Sequence, residues 1–349
     1  MIARQIHVSL VPGEGQPRLS RAPDPAAYQL YLQARYELND GSERSVRTSL
    51  GHFQEAIHRD PAYARAWAGS ARGHVFLALY PHYDAPAERM PKARDAAAKA
   101  IELDPSLAEA HVSLAWINMF YDWNWDKAAQ ELRRAIDLNP NLAEAYEAYS
   151  SYYTTFGRFD DAWRAASRAV ELSPLDLNSS FQLQLILLET KRYSESIALG
   201  RKLLEREPRA AGIRAFVGLS AVLSGHADEG IRELEKAAEI GEAPSFRLFL
   251  ALGLALSGRT DQSRDILRAM EATSKRKYIC PYEIASVHAA LGEKEDAFQW
   301  LRKGLAERCA CMVWLKVEPW LDSIRSDPRY FDLLHSTGID TAQPPVFTP

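Results

Sequence analysis

Between Ala143 and Asp176 the chain carries Tyr146, Tyr149, Ser150 and Tyr153, then Gly157, then Ala162, Ala166, Ala169 and Pro174. These are positions 4, 7, 8, 11, 15, 20, 24, 27 and 32 of one unit. Positions 4, 7, 8 and 11 form one stripe of a helix and 20, 24 and 27 the facing stripe of a second, so the unit predicts two antiparallel helices. Small residues belong at 8, 20 and 27, where the helices approach closely and a bulky side chain overpacks at a cost of about 1–3 kcal/mol. The chain supplies them again as Ala71, Ala93 and Ala100, and as Ala115, Ala128 and Ala135. Gly157, Gly225, Gly258 and Gly292 suit the turn between the helices, where φ is positive.

The unit recurs. Prolines at Pro105, Pro140, Pro174 and Pro208 are spaced by 35, 34 and 34 residues, each at the end of an apolar-periodic run. Proline ends the second helix by pushing the preceding residue out of the α region, and the Asp or Asn beside it is expected to cap the next helix, as at Asp60, Asp104 and Asn139. Extending outward gives about eight repeats: 26–63, 64–107, 108–142, 143–176, 177–210, 211–243, 244–277 and 278–308. The first has an enlarged turn in NDGSERS, the second an insertion in YPHYDAPAERMP, and the third an aromatic turn in YDWNW. The fifth departs most, with Ser180, Gln184, Lys191, Ser196 and Gly200 where an aromatic, Gly, Gly, Ala and a large apolar residue are expected. Residues 309–338 read as a capping helix pair, since a last repeat cannot bury its outer face alone. Residues 339–349 read as a disordered tail, and 1–25 as an N-terminal segment.

This aromatic, small-residue and proline pattern resembles the tetratricopeptide-repeat (TPR) family, with Ala166 standing where that family prefers Phe. The resemblance implies an all-α fold, a right-handed α-solenoid of helix-turn-helix repeats. Longer stretches, including WINMFYDWNWDKAAQELRRAIDLNPNLAEA, CPYEIASVHAALGEKEDAFQWL and VWLKVEPWLDSIRSDPRYFDLL, resemble the C-terminal TPR region of bacterial regulators. In those, a winged-helix, cyclase or kinase head and a TolB-like segment precede the repeats. IARQIHVSL is similar to the end of such a segment, which implies that this chain is a detached C-terminal half.

Composition adds exclusions. A net charge of -4 over 349 residues gives no basic field for nucleic acid. No apolar run reaches the roughly 18 residues that span a bilayer, so no membrane is expected and the chain reads as cytoplasmic, or periplasmic as the tail of a membrane-anchored parent. Three cysteines, Cys280, Cys309 and Cys311, are an odd number and read as reduced structural thiols. The histidine nearest to them in sequence, His288, has no ligand-spaced partner, so neither metal nor cofactor is expected. Glu293, Glu295 and Asp296 read as a solvated helix start, and His74 and His111 as packing residues, so no catalytic site is expected.

In a TPR stack the first helix of each repeat lines the concave wall, and positions 2, 5, 9 and 12, with neighbours at 6 and 13, project into it. The candidate partner-binding residues are therefore Arg65, Arg72, Phe76, Trp116, Met119, Phe120, Glu147, Ser151, Asn178, Gln182, Phe216 and Phe249. Aromatic and arginine anchors beside polar groups suit a protein or peptide partner. A carboxylate clamp for a chaperone tail is not expected, because Ala68, Gly69, Glu109, Val112 and Ser113 replace its Lys and Asn. The expected function is a non-enzymatic interaction scaffold in a bacterial regulatory system; the alternative is a small-molecule-sensing module that controls a head domain.

Overall fold

A computed structural model describes residues 22–79 and 82–345. Most of the N-terminal segment and the last four residues of the expected tail lie outside the described residues. Those described form seventeen α-helices and no strand: α1 Pro25–Asp40, α2 Glu43–Arg59, α3 Ala64–Ala78, α4 Pro86–Leu103, α5 Ala108–Ile117, α6 Trp125–Leu138, α7 Ala143–Thr155, α8 Phe159–Leu172, α9 Leu177–Glu189, α10 Tyr193–Arg206, α11 Ala211–Leu223, α12 Ala227–Ile240, α13 Pro244–Leu256, α14 Thr260–Ser274, α15 Pro281–Ala290, α16 Lys294–Ala306 and α17 Pro328–Thr337. Each odd helix from α1 to α15 packs against the even helix that follows, and each from α1 to α13 against the next odd helix, so these odd helices form one continuous wall. The fold is an α-solenoid.

The positions that carry this packing are those of the repeat. Ala71, Ala93, Ala100, Ala115, Ala128, Ala135, Ala162 and Ala169 are fully buried between helices. Gly157, Gly225, Gly258 and Gly292 all hold φ between 72° and 90°, and Lys191 takes the same left-handed place in the fifth repeat at φ 60°.

The divergent residues of the fifth repeat compensate one another. Gln184 is fully buried where a small residue is expected, and Gly200, across the helix pair, leaves room for it. A Cβ on Gly200 would stand 2.4 Å from Gln184 Nε2 and 2.4 Å from Val217 Cγ2. Gln184 Nε2 donates to the Ile213 carbonyl at 3.2 Å, and the Ser196 hydroxyl donates to the Gln184 carbonyl at 3.3 Å.

Three local expectations are corrected. Asp60, Asp104 and Asn139 do not cap the following helices: they accept from the backbone N–H two residues on, at Ala62, Ser106 and Asn141. Those helices start instead behind Tyr63, Leu107 and Leu142, without a side-chain cap. NDGSERS is a tight rather than an enlarged turn, because α1 continues to Asp40 and Gly41, at φ 73°, reverses the chain into the Ser42 cap of α2. The third repeat's first helix ends in a π-helical turn, Asn118–Asp122, which absorbs part of the aromatic loop.

The C-terminal segment does more than cap the last repeat. Helix α17 covers α16, with Arg329 over the Phe298 ring at 4.2 Å and paired to Glu295. Two 3-10 turns, Ala310–Trp314 and Pro319–Leu321, turn back to the inner wall instead. There Trp314 stands edge-on to Phe120 at 5.6 Å, and Arg308 Nη1 donates to the Tyr121 carbonyl at 2.9 Å. The expected disordered tail is docked as far as it is described. Ile339 is buried, and Arg158 Nη1 donates to the carbonyls of Pro344 and Pro345 at 2.7 and 2.9 Å.

Candidate binding groove

The odd helices and the C-terminal segment enclose a cavity of about 330 Å³. Of the twelve residues expected to project into the groove, eleven line this cavity: Arg65, Arg72, Phe76, Trp116, Phe120, Glu147, Ser151, Asn178, Gln182, Phe216 and Phe249. Met119 does not. It packs in the core beside Ile117 and Trp125, because the π-helical turn takes up an extra residue and turns it inward while Phe120 stays on the lining.

The walls are aromatic. Trp116, Phe120 and Trp314 form one row, with ring centroids 5.2 and 5.6 Å apart. Phe181, Phe216 and Phe249, the same face of three successive odd helices, form a second at 5.0 and 5.7 Å. Offset and edge-on contacts of this kind hold rings in fixed orientation.

Polar groups punctuate the rows. Arg72 pairs with Glu144 at 2.8 Å, linking two odd helices two repeats apart. Ser151 donates to Gln182 Oε1 at 3.2 Å, and the Ser179 hydroxyl donates to Glu147 Oε1 at 2.5 Å. Burial, reinforced by nearby Asp176, pushes the Glu147 carboxyl up to about 7. Burial likewise raises Glu283 to about 8, and raises Glu318, which also faces Glu189 and accepts from the Tyr282 hydroxyl at 2.6 Å. A cavity lined by aromatic rings with polar groups set between them suits a largely apolar occupant with a few hydrogen-bonding groups.

Ala68, Gly69, Glu109, Val112 and Ser113, considered above for a carboxylate clamp, also line the cavity, and other parts of the lining carry no named expectation. Leu248, Leu252, Tyr282, Glu283 and Ser286 follow from the same positional rule carried into the seventh and eighth repeats. Cys311, Trp314, Glu318 and Trp320 carry no repeat signal, since they arrive only because the C-terminal segment folds inward.

Several of the residues set aside as non-catalytic have defined partners, whereas the buried Nδ1 of His74 has no hydrogen-bond partner among the described residues. His288 is held between Glu293 at 2.8 Å and Glu271 at 3.0 Å, so the expectation that it has no ligand-spaced partner is corrected. Glu293 also pairs with Arg264 at 2.8 Å, so this residue is part of an ion-pair network rather than a merely solvated helix start. His111 pairs with Glu131 at 2.6 Å, and burial pushes the half-buried His74 down to about 4. The three thiols are free and buried, and His82, 229 residues from Cys311 in sequence, lies 2.9 Å from its Sγ. The fold thus brings a histidine to the thiols that linear spacing does not place there.

Among the described residues no helix is long and apolar enough to cross a membrane. No family model matches the chain, and no curated protein matches it. Solved structures do. Yeast Tom70 is similar over 92% of this chain and 70% of its own, with 15% identity and a TM-score of 0.53. The human IFIT1 dimer with PPP-AAAA is similar over 75% of this chain and 68% of its own, with 12% identity and a TM-score of 0.53. A tetratricopeptide repeat protein from Parabacteroides merdae matches over 78% of this chain and all of its own, with 11% identity and a TM-score of 0.49. At these identities the likeness to the first two speaks to architecture alone, and with the repeat positions above it assigns the chain an α-solenoid fold of TPR-like helix pairs.

Proposed function

We propose that this chain is a non-enzymatic scaffold that holds an extended peptide segment of a partner protein in its concave groove. The observation that carries the reading is the convergence of eleven positionally chosen residues, from six of the eight repeats, on one cavity. Its aromatic rows offer apolar pockets, and Arg65, Arg72, Gln182 and Asn178 offer hydrogen bonds along the same path, the combination that peptide grooves use. The resemblance of several stretches to the repeat regions of bacterial regulators supports a place in a regulatory system.

A displayed random-peptide library selected on the wild-type chain is expected to enrich a motif with spaced apolar residues. Trp116→Ala and Gln182→Ala, checked for unchanged helicity, are expected to lower binding of the enriched peptide at least about tenfold, the loss of one anchor worth roughly 1.4 kcal/mol. Binding unaffected by both substitutions would remove the groove from the reading. A small-molecule-sensing role is favoured by one observation: about 330 Å³ lies at the lower end of small-ligand cavities, with the C-terminal segment closing one side. Thermal stabilisation by a metabolite, with no peptide enriched, would select that role instead.

A further inference from the structure

Beneath one end of the groove, four side chains from three distant parts of the chain converge. His82 comes from the connection between α3 and α4, Cys280 and Glu283 from the start of α15, and Cys311 from the inward 3-10 turn. All four are buried, and one donor atom from each lies within 4.8 Å of the other three. We propose that His82, Cys280, Glu283 and Cys311 form a binding site for a single Zn2+ ion, which ties the α3–α4 connection to the C-terminal segment.

The donor chemistry selects the ion. Two thiolates, an imidazole and a carboxylate suit a borderline-soft cation without geometric preference, and exclude the all-oxygen cages of Ca2+ and Mg2+. Zinc bond lengths of about 2.0–2.3 Å place tetrahedral donors roughly 3.3–3.8 Å apart. His82 Nε2 stands 3.7 Å from Glu283 Oε1 and 2.9 Å from Cys311 Sγ, so small rotations of side chains reach that geometry. Binding forms the metal–ligand bonds as the thiol and carboxyl protons leave to solvent, with no change of oxidation state.

The outer contacts are those of a ligand set. The other ring nitrogen of His82, Nδ1, faces the Ala78 carbonyl at 3.5 Å, which directs Nε2 toward the cluster. The Ser245 hydroxyl donates to Glu283 Oε2 at 2.8 Å, leaving Oε1 on the His82 side. Metal-ligating histidines and carboxylates are oriented through their second atoms in this way. His82 also holds φ 63°, a left-handed conformation that a non-glycine residue adopts at a cost and that its surroundings must enforce. An entry path exists, because His82, Glu283 and Cys311 all line the groove. Cys309 stands behind the set, its Sγ 2.9 Å from that of Cys280. A purely apolar core would gain nothing from gathering three thiols, a carboxyl and an imidazole away from water.

The test uses the full chain, stripped of metal and fully reduced. Titration with Co2+ is expected to give a sulfur-to-cobalt charge-transfer band and tetrahedral d–d absorption at one equivalent, both displaced by Zn2+. Cys280→Ser with Cys311→Ser is expected to abolish the band. Ser245→Ala, which removes only the hydroxyl orienting Glu283, is expected to weaken Zn2+ affinity about 10–100-fold, measured against a chelating indicator. Circular dichroism reports whether each variant is folded, and the wild-type titration needs no variant. A reduced wild-type chain that shows no charge-transfer band and takes up no Zn2+ overturns the proposal, as does uptake undiminished in the double variant.

Discussion

Glu147 lies in the wall of the groove with 7% of its surface exposed, its nearest partner the Ser179 hydroxyl. Burial raises its carboxyl from an ordinary 4.5 to about 7. Below pH 4.5 the folded and unfolded chains both hold the proton, and the stability contributed by the neutral buried acid is fully present. As pH rises, the unfolded chain releases its proton first, so this stability is lost progressively until the folded carboxyl has titrated near pH 7. The whole loss amounts to about 3 kcal/mol at 1.36 kcal/mol per pH interval. Glu147→Gln keeps a carbonyl to accept from Ser179 and removes the titration. Wild type and variant are expected to be of similar stability near pH 5, and the variant more stable by about 2–3 kcal/mol at pH 8. Urea unfolding at a series of pH values, read as midpoint at constant m-value, measures the difference. Other buried acids, Glu189 and Glu283, slope in the same direction in both proteins and cancel in the comparison. A variant-minus-wild-type difference that stays flat from pH 5 to 8 would show that Glu147 ionises freely in the folded chain.

In the fifth repeat, Gly200→Ala is expected to cost about 1–3 kcal/mol by overpacking against Gln184 and Val217, and Gln184→Ala in the same chain to recover the part due to Gln184, a coupling read by a double-mutant cycle in urea. Additive losses would mean that the two positions do not share space. Trp125→Phe preserves the edge-on contact with Phe156 but removes the 2.8 Å bond from Nε1 to the Thr337 carbonyl at the end of α17. The expected loss is about 1–3 kcal/mol, and a neutral substitution would indicate that water replaces the indole. Truncation after Arg308 uncovers Phe298 and removes the buried Met312, Trp320, Leu321 and Ile324. A lower thermal midpoint and increased binding of an apolar dye are expected; unchanged melting would show that the segment only leans on the solenoid.

The repeat itself was legible because it is local. Tyr146, Ala162 and Ala169 meet within one helix pair, and the next pair meets it at a fixed interval, so a period near 34 residues encodes both the element boundaries and the inward positions of Trp116, Gln182 and Phe216. The same rule failed at Met119, where a π-helical turn changed the register without a signal that periodicity reads. It also gave no account of Lys191 in the place of glycine, which the surrounding helix pair holds at positive φ.

What the sequence by itself determined was the set of stacked helix pairs, since nearest-neighbour packing repeats with the residues that cause it. Only the tertiary structure decided how the far end of the chain meets the near end. His82 beside Cys311, Trp314 on Phe120 and Thr337 on Trp125 join residues about two hundred positions apart. Those contacts follow from the accumulated curvature of the whole stack, to which every helix pair adds a small rotation, and no stretch of sequence contains that sum.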